Sequence, residues 1–340
     1  DSFVVETNVH YPTDINLLYD AMRKLITLIA ELCDRHGASD WRQSAYNVRH
    51  VKRLMRAAQN KKRGKAQSTE RQEEREALIA QAHQDYLEVA GKYLDKARET
   101  LARLAQQGLN SSWDIVMKLQ IEGFMGHAAR QIDQTRRRVI LREVIPHEQK
   151  VFSIFEPHTE WISKGKAGVP VELGIKVCIL EDQYQFVLHH QVMQQQTDEQ
   201  VAVSMVRQAK KRHPDLTVCS FDKGFHSTEN QSTLGEELEL AVLPRKGKLS
   251  QQAQALEQSP AFTRARRKHS AVESAINALE VHGLDMCPDH GIGGFKRYVA
   301  LAVAARNIHR IGAILWQQEQ ERAKRKRKYS DRDTTYKLAA

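Results

Sequence analysis

Two acidic residues are the clearest candidates for chemistry in this sequence. Asp222 follows the β-rich run Leu216 to Phe221 and precedes a Lys-Gly turn, so we expect its carboxylate at the end of a strand. Glu273 lies in a segment whose polar residues share one helical face, with apolar residues opposite. A carboxylate at a strand end and another on a nearby helix can hold two divalent metal ions that promote phosphodiester transfer. The shared polar positions are Arg266, His269, Glu273, Asn277 and Glu280.

Such a site needs a third acid, because two metal ions about 3.5–4 Å apart require bridging and flanking oxygens. Asp1 opens the segment Asp1 to Thr7, which is predicted to be the first strand. Glu156 ends the apolar run Val151 to Glu156, which is predicted to be another strand. We prefer Asp1 because the shorter carboxylate is usual on the central strand of such sheets, and Glu156 stays the alternative. The predicted cofactor is Mg²⁺ or Mn²⁺, as two ions bound by Asp1, Asp222 and Glu273.

The charge of the chain favours a polyanionic partner. Lys and Arg total 52 against 42 Asp and Glu, which gives a net charge of +10 and a pI of about 9.4. No apolar run reaches the length of a membrane span, and no signal-peptide pattern opens the chain, so we expect no membrane partner and a cytoplasmic location. Four scattered cysteines predict free thiols.

Basic residues in short loops are the predicted contacts to nucleic-acid phosphates. Two loops flank predicted strands, at residues 164–168 and 245–248, and one further lysine follows Asp222 directly. Backbone and lysines together could approach phosphates there. The predicted DNA-binding residues are Lys164, Lys166, Lys223, Arg245, Lys246 and Lys248.

The order of predicted elements places these residues on an α/β fold. After a first strand at residues 1–13, apolar residues recur at helical spacing through residues 14–146, and the period then changes to that of strands. Without the helical block, the order is β-β-β-α-β-α-β-α, that of a ribonuclease-H-like mixed sheet flanked by helices. We assign residues 147–323 to the rest of this catalytic domain and 324–340 to a frayed basic tail. Within the block, residues 66–145 are predicted to form a coiled-coil hairpin that serves as an arm, with a capping box at Ser111.

Several motifs together resemble those of DDE-type bacterial insertion-sequence transposases, in particular the ISNCY-like group. The resemblance covers nearly the whole chain. It is carried by Asp1 to Asn8, His10 to Asp14, Phe152 to Glu156, Thr159 to Ile162, Lys164 to Gly168, Ser220 to Phe225, His269 to Gly283 and His290 to Leu301.

The resemblance implies a ribonuclease-H-like domain, Mg²⁺ dependence, and cutting and rejoining of DNA at element ends by a homodimer in a bacterial, nucleoid-associated setting. It assigns Asp1, Asp222 and Glu273 as the three catalytic acids, although Phe3 stands where relatives have Thr. Many such enzymes surround the glutamate with Tyr, Arg and Lys, whereas this chain has His269 and Glu280 nearby, so its phosphate contacts must come from elsewhere.

The start of the sequence leads to a further expectation. The chain opens with Asp at its predicted catalytic strand, so we expect that an upstream DNA-recognition region is missing. DNA binding should then be sensitive to salt and largely independent of sequence. The alternative function is a non-catalytic, DNA-binding remnant of a transposase.

Overall fold

The computed structural model of the chain describes residues 1–61, 69–163, 170–269 and 271–338. Contacts divide the chain into two compact units. The first combines Asp1–Asn8 with His158–Ala340, and the second is Val9–Pro157. The first unit is therefore discontinuous in sequence, and the second is inserted directly after its first strand.

Helices build the second unit. They are α1 (Asp14–Arg35), α2 (Ser44–Lys61), α3 (Thr69–Gly108) and α4 (Ser112–Thr135), which continues as a π-helical turn, Arg136–Ile140. The Thr13 hydroxyl accepts a hydrogen bond from the Asn16 amide and caps α1. The Ser111 side chain and Asp114 satisfy each other's backbone N–H groups at the start of α4, which confirms the predicted capping box.

The hydrophobic core of this unit centres on α1, which is buried on most of its surface. The apolar face of α3, which includes Leu87, Ala90 and Leu94, is buried in the same core as α1. The prediction of a separate hairpin arm is therefore wrong, because the apolar faces of α3 and α4 pack on α1 as well as on each other.

A mixed five-stranded sheet forms the centre of the first unit. It contains β1 (Ser2–Thr7), β2 (Glu160–Ser163), β3 (Val171–Glu181), β4 (Val187–Met193) and β7 (Met286–Cys287). Antiparallel β1 lies along one edge of β3, with Phe3 opposite Val177, and β2 and β4 pair with the opposite edge. Parallel β7 pairs with the last residues of β1.

A second, two-stranded parallel sheet contains β5 (Val218–Ser220) and β6 (Leu240–Val242). Helices α5 (Asp198–Arg212) and α6 (Thr228–Glu237) belong to this part of the unit. Met205 of α5 packs in one core with Cys178 of β3 and Cys219 of β5, so α5 covers one face of both sheets.

Five further segments complete the first unit. They are α7 (Gln251–Gln258), α8 (Pro260–His269), α9 (Ala271–Leu279), a π-helical turn (Glu280–Leu284) and α10 (Gly291–Leu338). Helices α9 and α10 pack on the face of β1 and β3 opposite α5. The predicted basic tail continues α10 as far as Leu338. Among the described residues, no helix combines the length and apolar character that crossing a membrane requires.

The fold is thus mixed α/β, as predicted, although two details of the prediction differ from the structure. The prediction has a single mixed sheet, whereas β5 and β6 form a second sheet and β1 pairs with β3 and β7. Residues 151–156 do not form a strand, because Ile154 is instead buried in the helical core of the second unit.

Candidate active site

A cavity of about 1010 Å³ opens within the first unit, between the end of β3 and β5. Asp1 lies at one end of it, and the last residues of α8 line it with two cations and an imidazole: Arg267, Lys268 and His269. The cavity is therefore bordered by one predicted catalytic acid and by two cations, and Glu181, Asp182 and Asp215 add further acidic groups to its lining.

Two strand edges form the walls of this cavity. On β3, Ile179 exchanges both backbone hydrogen bonds with Asp1, at 2.9 and 2.8 Å, and no described strand pairs with this edge beyond Ile179. On β5, the backbone groups of Thr217 and Phe221 form hydrogen bonds with β6. Because successive residues of a strand present their backbone groups to alternate edges, those of Ser220 point to the opposite edge. The cavity thus separates the two sheets at the residues that precede Asp222.

Two buried thiols lie on these strands. Burial raises the pKa of the Cys178 thiol on β3 to about 11 and that of the Cys219 thiol on β5 to about 12. All four cysteines are free, as the sequence predicts, and all four are buried.

Asp222 stands exposed just beyond β5. The Phe221 amide still donates to the Val242 carbonyl at 2.9 Å, so the ladder ends one residue before Asp222. Asp222 itself has an extended backbone, and its carbonyl accepts the Phe225 amide at 3.1 Å, which begins a 3₁₀ turn. The Asp222 side chain therefore lies just beyond the β5–β6 hydrogen bonds, at a position that the 3₁₀ turn and the strand fix from both sides.

Glu273 lies in the first turn of α9 and is exposed. Val272, Ala275 and Leu279 of the same helix are buried against β1 and β3. This anchored face orients Glu273 away from the core, and its neighbours Val272 and Ser274 line the cavity. Glu273 thus lies between two residues that line the same cavity as Asp1, without lining it itself.

His269 lies near two of the acidic positions. Burial lowers the pKa of its imidazole, whereas Asp222, a hydrogen bond with the Ser220 backbone, and Glu273 act to raise it. Asp222 and Glu273 are thus close enough to act on the charge of this ring, and Asp1 lines the same cavity as His269. The Nε2 atom of His269 and the hydroxyl of Ser220 are buried without a partner among the described residues.

Asp198, at the start of α5, is a site residue that the sequence analysis missed. Its carboxylate accepts a hydrogen bond from the Ser2 hydroxyl at 2.7 Å and pairs with Lys176 at 3.2 Å. A Cβ atom on Gly224 would lie 2.9 Å from the same carboxylate, so the turn after Asp222 packs directly on it. Asp198 thereby holds the residue after Asp1 close to the turn that follows Asp222.

The Asp198→Ala variant should unfold at lower urea concentration, with a loss of about 1–3 kcal/mol, because it leaves the half-buried Lys176 ammonium without its carboxylate. Asp198→Asn should restore part of the loss, since its amide oxygen can still accept from Ser2. Glu199→Ala, at the next and exposed position, is the control. Equal urea midpoints for Asp198→Ala and Glu199→Ala would show that the Asp198 carboxylate does not stabilise the fold.

The predicted phosphate contacts are only partly described. Lys164 and Lys166 lie outside the described residues. Lys223, Lys246 and Lys248 are exposed. The Arg245 amide donates to Glu257, and the charge of Arg245 lowers the pKa of His226 after the larger effect of burial, so this arginine lies near the turn that follows Asp222. Arg267 and Lys268, which line the cavity, were not predicted as DNA contacts.

The predicted metal ligands fit Mg²⁺ in donor type, because carboxylate oxygens are its preferred protein ligands. Within the described parts of the chain, no three His, Cys, Asp or Glu side chains are close enough together to hold an ion. Asp222 and Glu273 share the surroundings of His269, and the Asp1 carboxylate accepts the Ser2 amide at 2.7 Å. The alternative acid, Glu156, is buried in the second unit.

Comparison with known proteins identified no relative, since the chain matched no family model, no curated protein and no solved structure.

Proposed function

We propose that the first unit is the catalytic domain of a DDE-type transposase, which cleaves and joins DNA strands with the help of divalent metal ions. One observation carries the proposal: Asp222 and Glu273 both act on the His269 imidazole, which lines one cavity together with Asp1, Arg267 and Lys268. Acids gathered from separate elements next to basic groups suit a reaction in which a phosphodiester must be held while metal ions act on it.

Asp222, Glu273 and Asp1 would hold the ions. When bound, Mg²⁺ or Mn²⁺ supplies activation of the attacking oxygen and stabilisation of the departing 3′-oxygen. The protein's own contribution is to fix the acids, since the β5–β6 ladder positions Asp222 and the buried face of α9 positions Glu273. The buried Nε2 of His269 has no described partner, and it would donate to an oxygen of the substrate phosphate in the protonated ring, which the negative phosphate would favour.

Basic side chains would bind the DNA backbone. Arg267 and Lys268 lie on the cavity wall, and Lys223 follows Asp222 directly. Contacts of this kind neutralise phosphates and position the DNA without reading its bases. Binding should therefore weaken steeply with added salt and depend little on DNA sequence.

A plasmid assay tests the proposal. The full chain is incubated with supercoiled DNA in Mg²⁺, in Mn²⁺, in Ca²⁺ or in EDTA, and nicked circles are measured over time. We expect nicking with Mg²⁺ and Mn²⁺ and none in EDTA. A second reaction supplies a labelled oligonucleotide with a free 3′-hydroxyl, and its covalent joining to the plasmid would identify strand transfer rather than simple hydrolysis.

The alternative function is a DNA-binding remnant without catalysis. It is favoured by the lack of a preassembled group of three metal-binding side chains in the described parts of the chain. Gel-shift measurements at several salt concentrations separate the two functions. Salt-sensitive DNA binding without nicking in either Mg²⁺ or Mn²⁺ would favour the remnant, and the lack of both would exclude both functions.

A further inference from the structure

Two polar side chains of α4 lie inside the hydrophobic core of the second unit. Gln131 and Thr135 are both 0% exposed. Both polar atoms of the Gln131 amide group and the hydroxyl of Thr135 have no hydrogen-bond partner among the described residues. Residues four apart lie on one face of a helix, so the two groups are neighbours. We call Gln131 and Thr135 the α4 polar pair.

Contacts with α3 show what faces the pair on one side. Helices α3 and α4 are antiparallel, because Arg142, just beyond the π-helical turn that continues α4, bonds Glu76 near the start of α3 at 2.7 Å. Counting the same number of residues along both helices from this contact places Thr135 about level with His83, which is also fully buried. The polar pair therefore faces the part of α3 around His83 and not the solvent.

Helix α1 lies on another side of the pair. Side-chain contacts link the start of α1 to the end of α4 and the end of α1 to the start of α4, so the two helices are antiparallel. Counting between these contacts brings Gln131 close to the level of Asp20. Burial raises the pKa of Tyr86 on α3 well above its usual value, and the charge of Asp20 raises it further, so this carboxylate is close to Tyr86. The helices thus share a polar layer that contains Asp20, His83, Tyr86 and the α4 polar pair.

The hydrogen-bonding groups of the pair need a partner. Burial of an amide or a hydroxyl without a hydrogen bond destabilises a fold, and native proteins pair the great majority of such groups. The pair does not satisfy itself, since the Gln131 amide and the Thr135 hydroxyl form no bond with each other. Both groups can donate and accept, so a partner that also donates and accepts would satisfy them.

The chemistry of the layer identifies this partner. Asp20, the acid of the layer, already bonds His10 at 2.5 Å and pairs with Arg23 at 3.8 Å. A cation would leave the N–H groups of the Gln131 amide unpaired, and an anion would leave its oxygen unpaired. Because Gln131 and Thr135 are closed off from solvent, the partner must also be small. We propose that the α4 polar pair binds ordered water inside the helical core. Buried waters of this kind make about three hydrogen bonds to groups that are otherwise unsatisfied.

Small side chains flank the pair. Ala128 lies one turn before Gln131 on α4, and the α3–α4 register puts it about level with Ala90. Both alanines are fully buried, whereas other levels of α3 bury leucines such as Leu94. A methyl group fills less of the space between two helices than a leucine side chain does, which favours room for water beside the pair. The site lies wholly within the second unit, so this inference does not depend on the function proposed for the first unit.

Oxygen-17 relaxation dispersion of the full chain tests the proposal, because it counts water molecules that exchange slowly with the solvent. A double variant with Gln131→Met and Thr135→Val keeps the approximate size of both side chains and removes their hydrogen-bonding groups. We expect this variant to lose slowly exchanging water relative to the wild type. An unchanged amount of such water would overturn the proposal.

Thr100→Val is the matched control. Thr100 is 3% exposed in the same core, and its hydroxyl donates to the Lys96 carbonyl at 2.8 Å and accepts from the Trp41 indole at 3.1 Å. This hydroxyl is already paired, so Thr100→Val should keep the slowly exchanging water of the wild type. An equal loss of water in Thr100→Val would show that the α4 polar pair is not what binds it.

Crystallography of the wild type gives a second measurement that needs no variant. We expect ordered water within about 3.2 Å of both the Gln131 amide and the Thr135 hydroxyl. A direct hydrogen bond between the Gln131 amide and another protein group, with no water beside it, would overturn the proposal. Circular dichroism of each variant checks that the helices are retained, and if the double variant does not fold, the wild-type crystal structure decides.

Discussion

The Asp222→Asn variant is expected to lose metal-dependent DNA nicking by roughly 10³-fold, which corresponds to about 4 kcal/mol of transition-state stabilisation. The substitution keeps the shape of the side chain and removes its negative charge, so the exposed position beyond β5 should fold unchanged. DNA affinity should stay within about twofold, because phosphate contacts come from basic residues. Initial nicking rates and gel-shift titrations measure the two effects separately.

Glu229→Gln is the matched control for this variant. Glu229 is an exposed acid in the first turn of α6, and its substitution removes the same charge close by in the sequence. Its nicking rate should equal that of the wild type. Substantial Mg²⁺-dependent nicking by Asp222→Asn would show that Asp222 is not a metal ligand, and loss of nicking in both variants would point to a general effect of charge.

The Gly174→Ala variant is expected to be destabilised by about 3 kcal/mol or more. A Cβ atom at this position of β3 would lie 2.1 Å from the Val5 carbonyl oxygen and 2.8 Å from the Glu6 Cα atom. Both neighbours are backbone atoms of β1, so they can move only if the two strands separate. Urea unfolding followed by circular dichroism measures the loss.

Gly126→Ala provides the comparison, with the opposite sign. Gly126 is exposed within α4, and a Cβ atom there would meet nothing within 4 Å. Alanine should stabilise the helix by about 1 kcal/mol, because it restricts the unfolded chain more than glycine does. If Gly174→Ala and Gly126→Ala had equal free energies of unfolding, the result would contradict the close approach of β1 and β3 at Gly174.

Elements with strong local signals could be predicted from the sequence. The apolar residues of β3 alternate along the strand, and those of α5 recur at helical spacing, so both elements carry a strong local signal. The Ser111 capping box was also predictable, because its hydrogen bonds lie within four consecutive residues. In each case the interactions that fix the element are close together in the chain.

Features that depend on distant contacts could not be predicted. Strand β7 has only two residues, too few to show a period, and it forms because β1 provides a partner. Residues 151–156 have the composition of a strand. They form none because Ile154 is buried among the helices of the second unit, and this packing outweighs the local preference for a strand. In the site, the turn that follows Asp222 could be predicted from its Lys-Gly sequence. The role of Asp198 could not, because it depends on contacts with Ser2 and Gly224 that form only in the folded chain.

The inserted position of the second unit has a consequence for folding on the ribosome. The apolar strand β1 emerges long before its partner β3, which begins only at Val171. At about 5–20 residues per second, β1 waits on the order of ten to thirty seconds for β3 to be synthesised. During this interval α1 to α4 can already form their own core, while Phe3, Val4 and Val5 stay without strand partners. The nascent chain should therefore be a chaperone client mainly through β1.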